Sequence, residues 1–364
     1  MKIDRHDRKR TQQCVKRCFT TQSARFAIGL TLVLGTSVAC LPQSQAQSTP
    51  VAQSTPVAQS TPVAIESQAF SRASGAAPQP ADSAARQDQA AAWIDQLIDR
   101  LANGPAFDCK IRQRVRTAGR EVVGVGTYLQ VGGGSGQFSF QIKMHDGDGK
   151  HTLQQISDGR LAWTRSEIAG KVALSRVDVG WLDEGARTLR RNRRVKPSMK
   201  VGGPSEMLDS IRRDYDLKLG TSSLGGRPLL VIIGTLKQAR RDELTANRKG
   251  ASLPELYPAR INVAIAQSDD PESGFGKGLP VRIEHLSDPI ALSKDPNKEL
   301  ESQIKKSQMI SLLEFYSIRP VAPPPIQRFR FENRDTEVDF VNETNRYEER
   351  FDIRVSAKER ARYR

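Results

Sequence analysis

From Phe107 onward, the apolar residues of this sequence recur at every second position over several runs. Between Arg86 and Asn103 they recur about every 3.6 residues, which predicts an amphipathic helix that ends at Gly104-Pro105. A period of two places successive side chains on opposite faces of a strand, so it predicts half-buried antiparallel strands. The clearest run alternates with polar neighbours and consists of Phe138, Phe140, Ile142 and Met144.

Further strands are predicted for 123–127, 172–174, 228–236, 261–265, 281–283 and 309–318. Turn signals rich in Gly and Asp separate these runs, at 132–134, 146–149 and 158–159. A second helix is predicted for 204–217, with Ser205 as its N-cap. No strand is followed by the long crossover helix that parallel pairing requires. The sequence therefore predicts a mainly β, α+β fold, an antiparallel sheet whose sequence neighbours pair in space, packed on two or three helices.

The first 46 residues predict export. Basic residues precede an apolar run at 26–39, which at roughly 14 residues is shorter than the ~20 that span a bilayer and is typical of a signal peptide. Cleavage after Ala46 would release a soluble protein. Alternatively, residues 37–40 resemble a bacterial lipobox, which would tether the protein through a lipidated Cys40. Both alternatives place the protein in the periplasm or cell envelope.

The segment 47–85 is predicted to be a disordered linker. It contains the repeat Gln-Ser-Thr-Pro-Val-Ala three times, followed by a stretch rich in Ala, Pro, Ser and Gln, and it has too few large apolar residues to form a core. A glycan-bearing stalk is an alternative interpretation. The folded domain is predicted to span 86–335, and the charged tail 336–364 is predicted to project from it and to be partly helical.

Four motifs follow one another in a recognisable order. They are Ile-Ser-Asp-Gly-Arg-Leu-Ala-Trp at 156–163, Gly-Gly-Arg-Pro-Leu-Leu-Val at 225–231, Gly-Leu-Pro-Val-Arg-Ile-Glu at 278–284 and Leu-Glu-Phe-Tyr-Ser-Ile at 313–318. Together they resemble the LolA/LolB-like lipoprotein carriers and related bacterial envelope proteins over residues 90–335, with Gly225 where that family has aspartate. The resemblance implies a curved antiparallel incomplete barrel wrapped over helices. It also implies an apolar concave face that suits acyl chains.

The resemblance thus implies lipid or lipoprotein acyl chains as the partner. The candidate cavity residues are Phe138, Phe140, Ile142, Met144 and Trp163. Such side chains could cover an acyl chain and remove apolar surface from water. Equally, the same residues could fill an ordinary closed core against the helices.

The chain is basic, with a formal net charge of +15, of which +9 remains once the residues up to Ala46 are removed. A dense basic run comprises Arg187, Arg190, Arg191, Arg193, Arg194, Lys196 and Lys200. It predicts contact with an anionic membrane surface or wall polymer, although solvated loop charge is the simpler alternative. Nucleic acid is not an expected partner, because the predicted compartment lacks it and the run lacks stacking aromatics.

No catalytic pattern stands out in the sequence. Gly-x-Ser-x-Gly is absent, the Asp-rich turn at 146–149 lacks the glutamate of a calcium loop, and the histidines lack metal-ligand spacing. Cys109 is predicted to be a buried apolar residue. We therefore expect no catalytic residues, cofactor or metal, and predict a non-enzymatic protein that binds amphiphiles. The main alternative is a structural or interaction module that binds anionic polymer or membrane through the basic run; an esterase of unfamiliar type is a third.

Overall fold

The computed structural model describes residues 80–117, 120–147, 149–189, 195–246, 253–254, 256–288, 307–333 and 338–353, with side chains from residue 87. The predicted signal peptide, Cys40 and nearly all of the repeat linker lie outside these residues. The helices of the described chain are α1 Pro80–Asn103, α2 Val179–Thr188, α3 Gly203–Asp214, α4 Gln238–Thr245 and α5 Thr344–Arg350. Short 3-10 turns occupy Pro197–Lys200 and Ile326–Phe329.

The described residues also form a single sheet of twelve strands. The strands are β1 Phe107–Thr117, β2 Arg120–Gln130, β3 Gln137–Asp146, β4 Gly149–Asp158, β5 Leu161–Ile168, β6 Lys171–Asp178, β7 Tyr215–Leu224, β8 Arg227–Leu236, β9 Arg260–Ala266, β10 Pro280–Leu286, β11 Met309–Pro320 and β12 Phe340–Asn342. Every predicted strand is present, and the three predicted turns join β2 to β3, β3 to β4 and β4 to β5.

The spatial order of the strands is β12-β6-β5-β4-β3-β2-β1-β11-β10-β9-β8-β7. Sequence neighbours pair within β1–β6 and within β7–β11, as predicted, and β1 pairs with β11 to join the two halves. All ladders are antiparallel except that of β12, which runs parallel to β6. No ladder joins the edge strands β7 and β12 within the described residues, so the sheet is an incomplete barrel.

Helices α1 and α3 cover one face of this sheet, which we call the concave face. On α1, the residues that contact the core include Ile94, Leu97, Ile98 and Leu101, which recur at helical spacing and are almost fully buried. The helix begins at Pro80, six residues before the predicted start and within the predicted linker. The second predicted helix ends at Asp214 and not at 217, because Tyr215 and Leu217 start the period-two pattern of β7.

Helices α2 and α4 were not predicted, whereas α5 lies in the tail that was predicted to be partly helical. The prediction that the tail projects is wrong for residues 338–353, since β12 extends the sheet and α5 packs beside α2. Tyr347, Phe351 and Ile353 form a second apolar cluster with residues of α2 that include Leu182. Among the helices of the described ranges, none is both long and apolar enough to cross a membrane.

Candidate ligand-binding site on the concave face

Strand β3 lines the concave face with four consecutive inward side chains. Phe138, Phe140, Ile142 and Met144 are at most 6% exposed and belong to one cluster with α1 and α3. Their burial follows from the alternation in the sequence, because inward residues of one strand lie on the same face. These four predicted cavity residues therefore lie together, and they are packed against helices.

Tyr128 on β2 is the centre of the aromatic part of this interior. Its ring contacts those of Phe107, Phe138, Phe140 and Phe315, with centroids 5.7–6.5 Å apart. The hydroxyl donates a hydrogen bond to Gln130 Oε1, which satisfies the polar group, and burial raises its pKa well above the usual value. Sequence reasoning missed Tyr128, although it continues the inward series of β2 after Gly124 and Gly126.

Glycines let other elements approach these side chains closely. A Cβ on Gly124 would lie 2.4 Å from Met144 Cγ. Gly202, just before α3, has φ of +77°, and a Cβ there would lie 2.7 Å from Phe138 Cζ. The start of α3 therefore sits directly on the Phe138 ring, and only glycine satisfies both the backbone and the contact.

The grouping of Trp163 with the other four candidates is wrong. Across the β4–β5 hairpin Ser157 pairs with Ala162, which turns Ala162 inward and Trp163 to the opposite, convex face. There the Trp163 ring stacks on Phe331, with centroids 5.0 Å apart, and meets Phe340 of β12 edge-on. Arg176 completes this group, since its guanidinium lies 4.4 Å from the Phe340 ring centroid.

The basic run is only partly described, since Arg190, Arg191, Arg193 and Arg194 lie outside the described residues. Arg187, in the last turn of α2, and Lys196 are exposed. Lys200 is not available to a partner in the same way, because its Nζ lies 3.0 Å from Asp209 Oδ1 of α3.

Polar and charged side chains join helix α3 to α5. We call this cluster the clasp, and it comprises Glu206, Asp209, Tyr347 and Arg350. Arg350 contacts Glu206 Oε1, and its Nη2 donates to Asp209 Oδ2 at 2.7 Å. The Tyr347 hydroxyl donates to Glu206 Oε1 at 2.9 Å. Burial by itself would raise the pKa of Asp209, but Arg350 and Lys200 outweigh it and the pKa is lowered. The partly buried carboxylate of Asp209 is therefore favoured in the charged form because the cations lie next to it.

Other chemistry-bearing residues lie within the fold. Burial raises the pKa of the Cys109 thiol, which disfavours the nucleophilic thiolate. His285 lies beside Ser311, with Nδ1 2.9 Å from Oγ, but Ser311 is only 2% exposed. Within the described ranges, no group of three or more His, Cys, Asp or Glu side chains is placed to hold a metal ion.

An open surface pocket with a volume of about 30 Å³ lies on the convex face of β7–β10. Its floor is apolar, with Leu229, Val231 and Ala264, and Arg282 and Glu284 form its polar wall. Glu284 is already engaged, since it accepts a hydrogen bond from Asn262 and pairs with Arg282 at 2.8 Å.

No protein-family model matches the sequence, and no curated protein matches it. Several solved structures are similar. In the MucA/MucB complex from Pseudomonas aeruginosa, the similar chain is 13% identical, the match covers 67% of this chain and 61% of that one, and the TM-score is 0.31. In three structures that contain MucB, this chain matches 60–63% of the length of the similar chain.

Two shorter proteins are matched over nearly their whole length. A LolA superfamily protein from Nitrosomonas europaea is 12% identical, with 66% of this chain and 97% of that chain covered and a TM-score of 0.25. The lipoprotein LppX from Mycobacterium tuberculosis is 13% identical, with 65% and 99% covered and a TM-score of 0.30. Each of these proteins is similar to this chain at a TM-score below 0.5.

Proposed function

We propose that this chain is a non-enzymatic protein of the cell envelope that binds the acyl part of a lipid, lipoprotein or other amphiphile. The ligand lies between the concave face of the sheet and helices α1 and α3. One observation carries the proposal: the apolar interior is a single curved face covered by helices, and its aromatic and aliphatic side chains run in an unbroken series along β3.

The chemistry of that interface suits exchange with an acyl chain. Contacts between α3 and Phe138 are apolar, and such contacts are non-directional. An acyl chain that replaced part of the helix would regain about 0.8 kcal/mol for each buried methylene. Displacement of α3 would also break the hydrogen bond that Gly203 N donates to Gln155 Oε1 at 2.9 Å, so a ligand must offset the apolar contacts and the loss of this bond.

Helix α3 is the element whose displacement would admit a ligand. It is 12 residues long and presents a narrow apolar stripe that includes Leu208 and Ile211. Its opposite side carries Glu206 and Asp209, which the clasp holds. Release of the clasp would free one side of α3, whereas α1 would stay attached through its broader apolar face.

Native mass spectrometry of the mature protein, purified gently from its envelope fraction, tests the proposal directly. We expect a co-purifying lipid in stoichiometric amount, identified by extraction from the same sample. The folded protein should also take up a fluorescent fatty acid. Protein that carries no lipid and binds no added acyl ligand would contradict the proposal.

A pair of matched variants tests the route into the interior. Arg350→Met removes the positive charge of the clasp and keeps an aliphatic side chain, and we expect faster uptake of the fluorescent fatty acid. Arg319→Met is the control, because Arg319 pairs with Asp108 on an exposed site far along the chain from α3. Equal uptake rates in wild type and both variants would exclude entry past α3.

A further inference from the structure

Strand β1 carries a stripe of cations on the face opposite the helices. Its inward residues Cys109, Ile111, Gln113 and Val115 are all buried. Its outward residues are Asp108, which pairs with Arg319, and four cations, Lys110, Arg112, Arg114 and Arg116, which we call the β1 stripe. Alternate residues of a strand lie about 7 Å apart, so four like charges repel one another along a single line.

Few acidic groups balance this stripe. Arg112 pairs with Glu314 at 2.8 Å, and Arg114 lies 4.0 Å from Glu121. Within the described part of the chain, no ion pair involves Lys110, Arg116 or the exposed Lys143 that follows on β3. The face therefore keeps a net positive charge in the middle of the sheet.

Apolar side chains lie among these cations. On β2, Val123 pairs with Arg114, and Val125 lies between Arg112 and Lys143. The two valines are 48% and 58% exposed, and Tyr316, opposite Lys110 on β11, is 42% exposed. Removal of exposed apolar surface from water is favourable. A partner that covers these side chains would therefore form a more stable complex with this face.

We propose that this convex face, formed by the β1 stripe with Lys143, Val123, Val125 and Tyr316, docks on the surface of an anionic phospholipid bilayer. Basic side chains meet lipid phosphates, while the valines and the tyrosine ring reach the boundary between headgroups and acyl chains. A soluble polyanion would satisfy the charges but would leave the apolar side chains in water. The proposal does not rest on the acyl-binding interior, because the docking face lies on the other side of the sheet.

Vesicle flotation of the full chain tests the docking face. We expect binding to vesicles of phosphatidylcholine with phosphatidylglycerol and none to phosphatidylcholine alone, with a loss of binding at high salt. The triple variant Lys110→Gln, Arg116→Gln, Lys143→Gln leaves both ion pairs of the stripe intact. Each basic residue near an anionic membrane changes affinity roughly fivefold, so this variant should bind about a hundredfold more weakly.

A matched triple variant removes the same charge elsewhere. It carries Arg160→Gln, Lys171→Gln and Lys277→Gln, at exposed turns and strand ends outside the docking face. We expect this variant to lose only a little vesicle binding. Equal losses in the two triple variants would overturn the proposal, since they would reduce the effect to net charge. Circular dichroism of each variant confirms that it is folded.

The valines distinguish a membrane from a polymer. Val123→Thr with Val125→Thr keeps shape and charge, and we expect it to weaken vesicle binding several-fold while leaving binding to soluble dextran sulfate unchanged. Unchanged vesicle binding in this variant, together with tight binding of wild type to dextran sulfate, would overturn the membrane assignment in favour of an anionic polymer.

Discussion

Helices α1 and α3 cover the same concave face but are attached to the protein in different ways. Helix α1 is held by an apolar face, and its polar contacts are peripheral, as in the Arg212–Asp95 pair, whose side chains are 44% and 46% exposed. Helix α3 adds the clasp to a narrower apolar stripe, with the Arg350 side chain only 13% exposed. Apolar attachment is the sum of many small contacts, and each can be lost separately. A buried ion pair is different, because removal of one partner leaves the other charge buried and unpaired. The comparison marks α1 as the fixed cover and α3 as the releasable one.

Truncation of the α1 face should give the largest effect. Leu97 is 2% exposed, and Leu97→Ala should lower the free energy of unfolding by about 2–5 kcal/mol, because it leaves a cavity in the core. Leu224→Ala is the control, since Leu224 is 41% exposed and its truncation should cost less than about 0.5 kcal/mol. Urea unfolding measures both, and similar losses would contradict the picture of α1 as an apolar anchor.

The sheet interior and the clasp should lose stability in different pH ranges on acidification. Burial lowers the pKa of His285 from 6.5 to about 4, so the unfolded chain takes up a proton first. The stability present above pH 6.5 then falls between pH 6.5 and about 4, by up to about 3 kcal/mol. The lowered pKa of Asp209 acts in a more acidic range: its contribution is complete above the ordinary value of 3.8 and is lost as the pH falls below it.

Two variants test which residue causes the loss of stability in each pH range. In urea unfolding as a function of pH, His285→Gln should remove the dependence between pH 6.5 and 4, and Asp209→Asn should remove only the more acidic one. A wild-type stability that is flat from pH 6.5 to 4 would show that His285 is not held neutral by its surroundings.

Loss of the positive charge of the clasp should have an intermediate and local effect on stability. Arg350→Met leaves Glu206 and Asp209 without their main partner, while Lys200 still faces Asp209, so we expect a loss of about 1–3 kcal/mol. Hydrogen exchange should increase in α3 and α5 and stay unchanged in α1. Arg319→Met, at an exposed pair, should change neither. Equal acceleration of exchange in α1 would remove the distinction between the two helices.

The contact between the start of α3 and the Phe138 ring should give the smallest change in stability. Gly202→Ala combines a left-handed backbone with a Cβ 2.7 Å from the Phe138 ring. Gly225→Ala has a similar φ, and no atom lies within 4 Å of its Cβ, so it measures the backbone cost alone. We expect Gly202→Ala to be the more destabilising of the two by about 1–2 kcal/mol in thermal or urea unfolding. Equal effects would mean that α3 does not press on Phe138.

Local periodicity predicts much of this fold. The run from Phe138 to Met144 predicts β3, and the turn at 158–159 predicts the β4–β5 hairpin, because the backbone of a strand turns alternate side chains to opposite faces. The same rule places four of the five cavity candidates together. It does not place Trp163, because the face of a residue after a turn depends on the pairing across the hairpin, here Ser157 with Ala162.

The sequence by itself therefore determined most of the strands, the α1 stripe and the inward series of β3, all of which depend on neighbours a few residues apart. Only the tertiary structure decided that α3 seats on Phe138, that the β1 stripe remains uncovered by the described chain, and that Arg350 reaches Glu206. These arrangements join residues far apart in the chain, such as Arg350 and Glu206, which are separated by 144 positions. Such contacts are fixed by packing and charge pairing in space, and no local pattern encodes them.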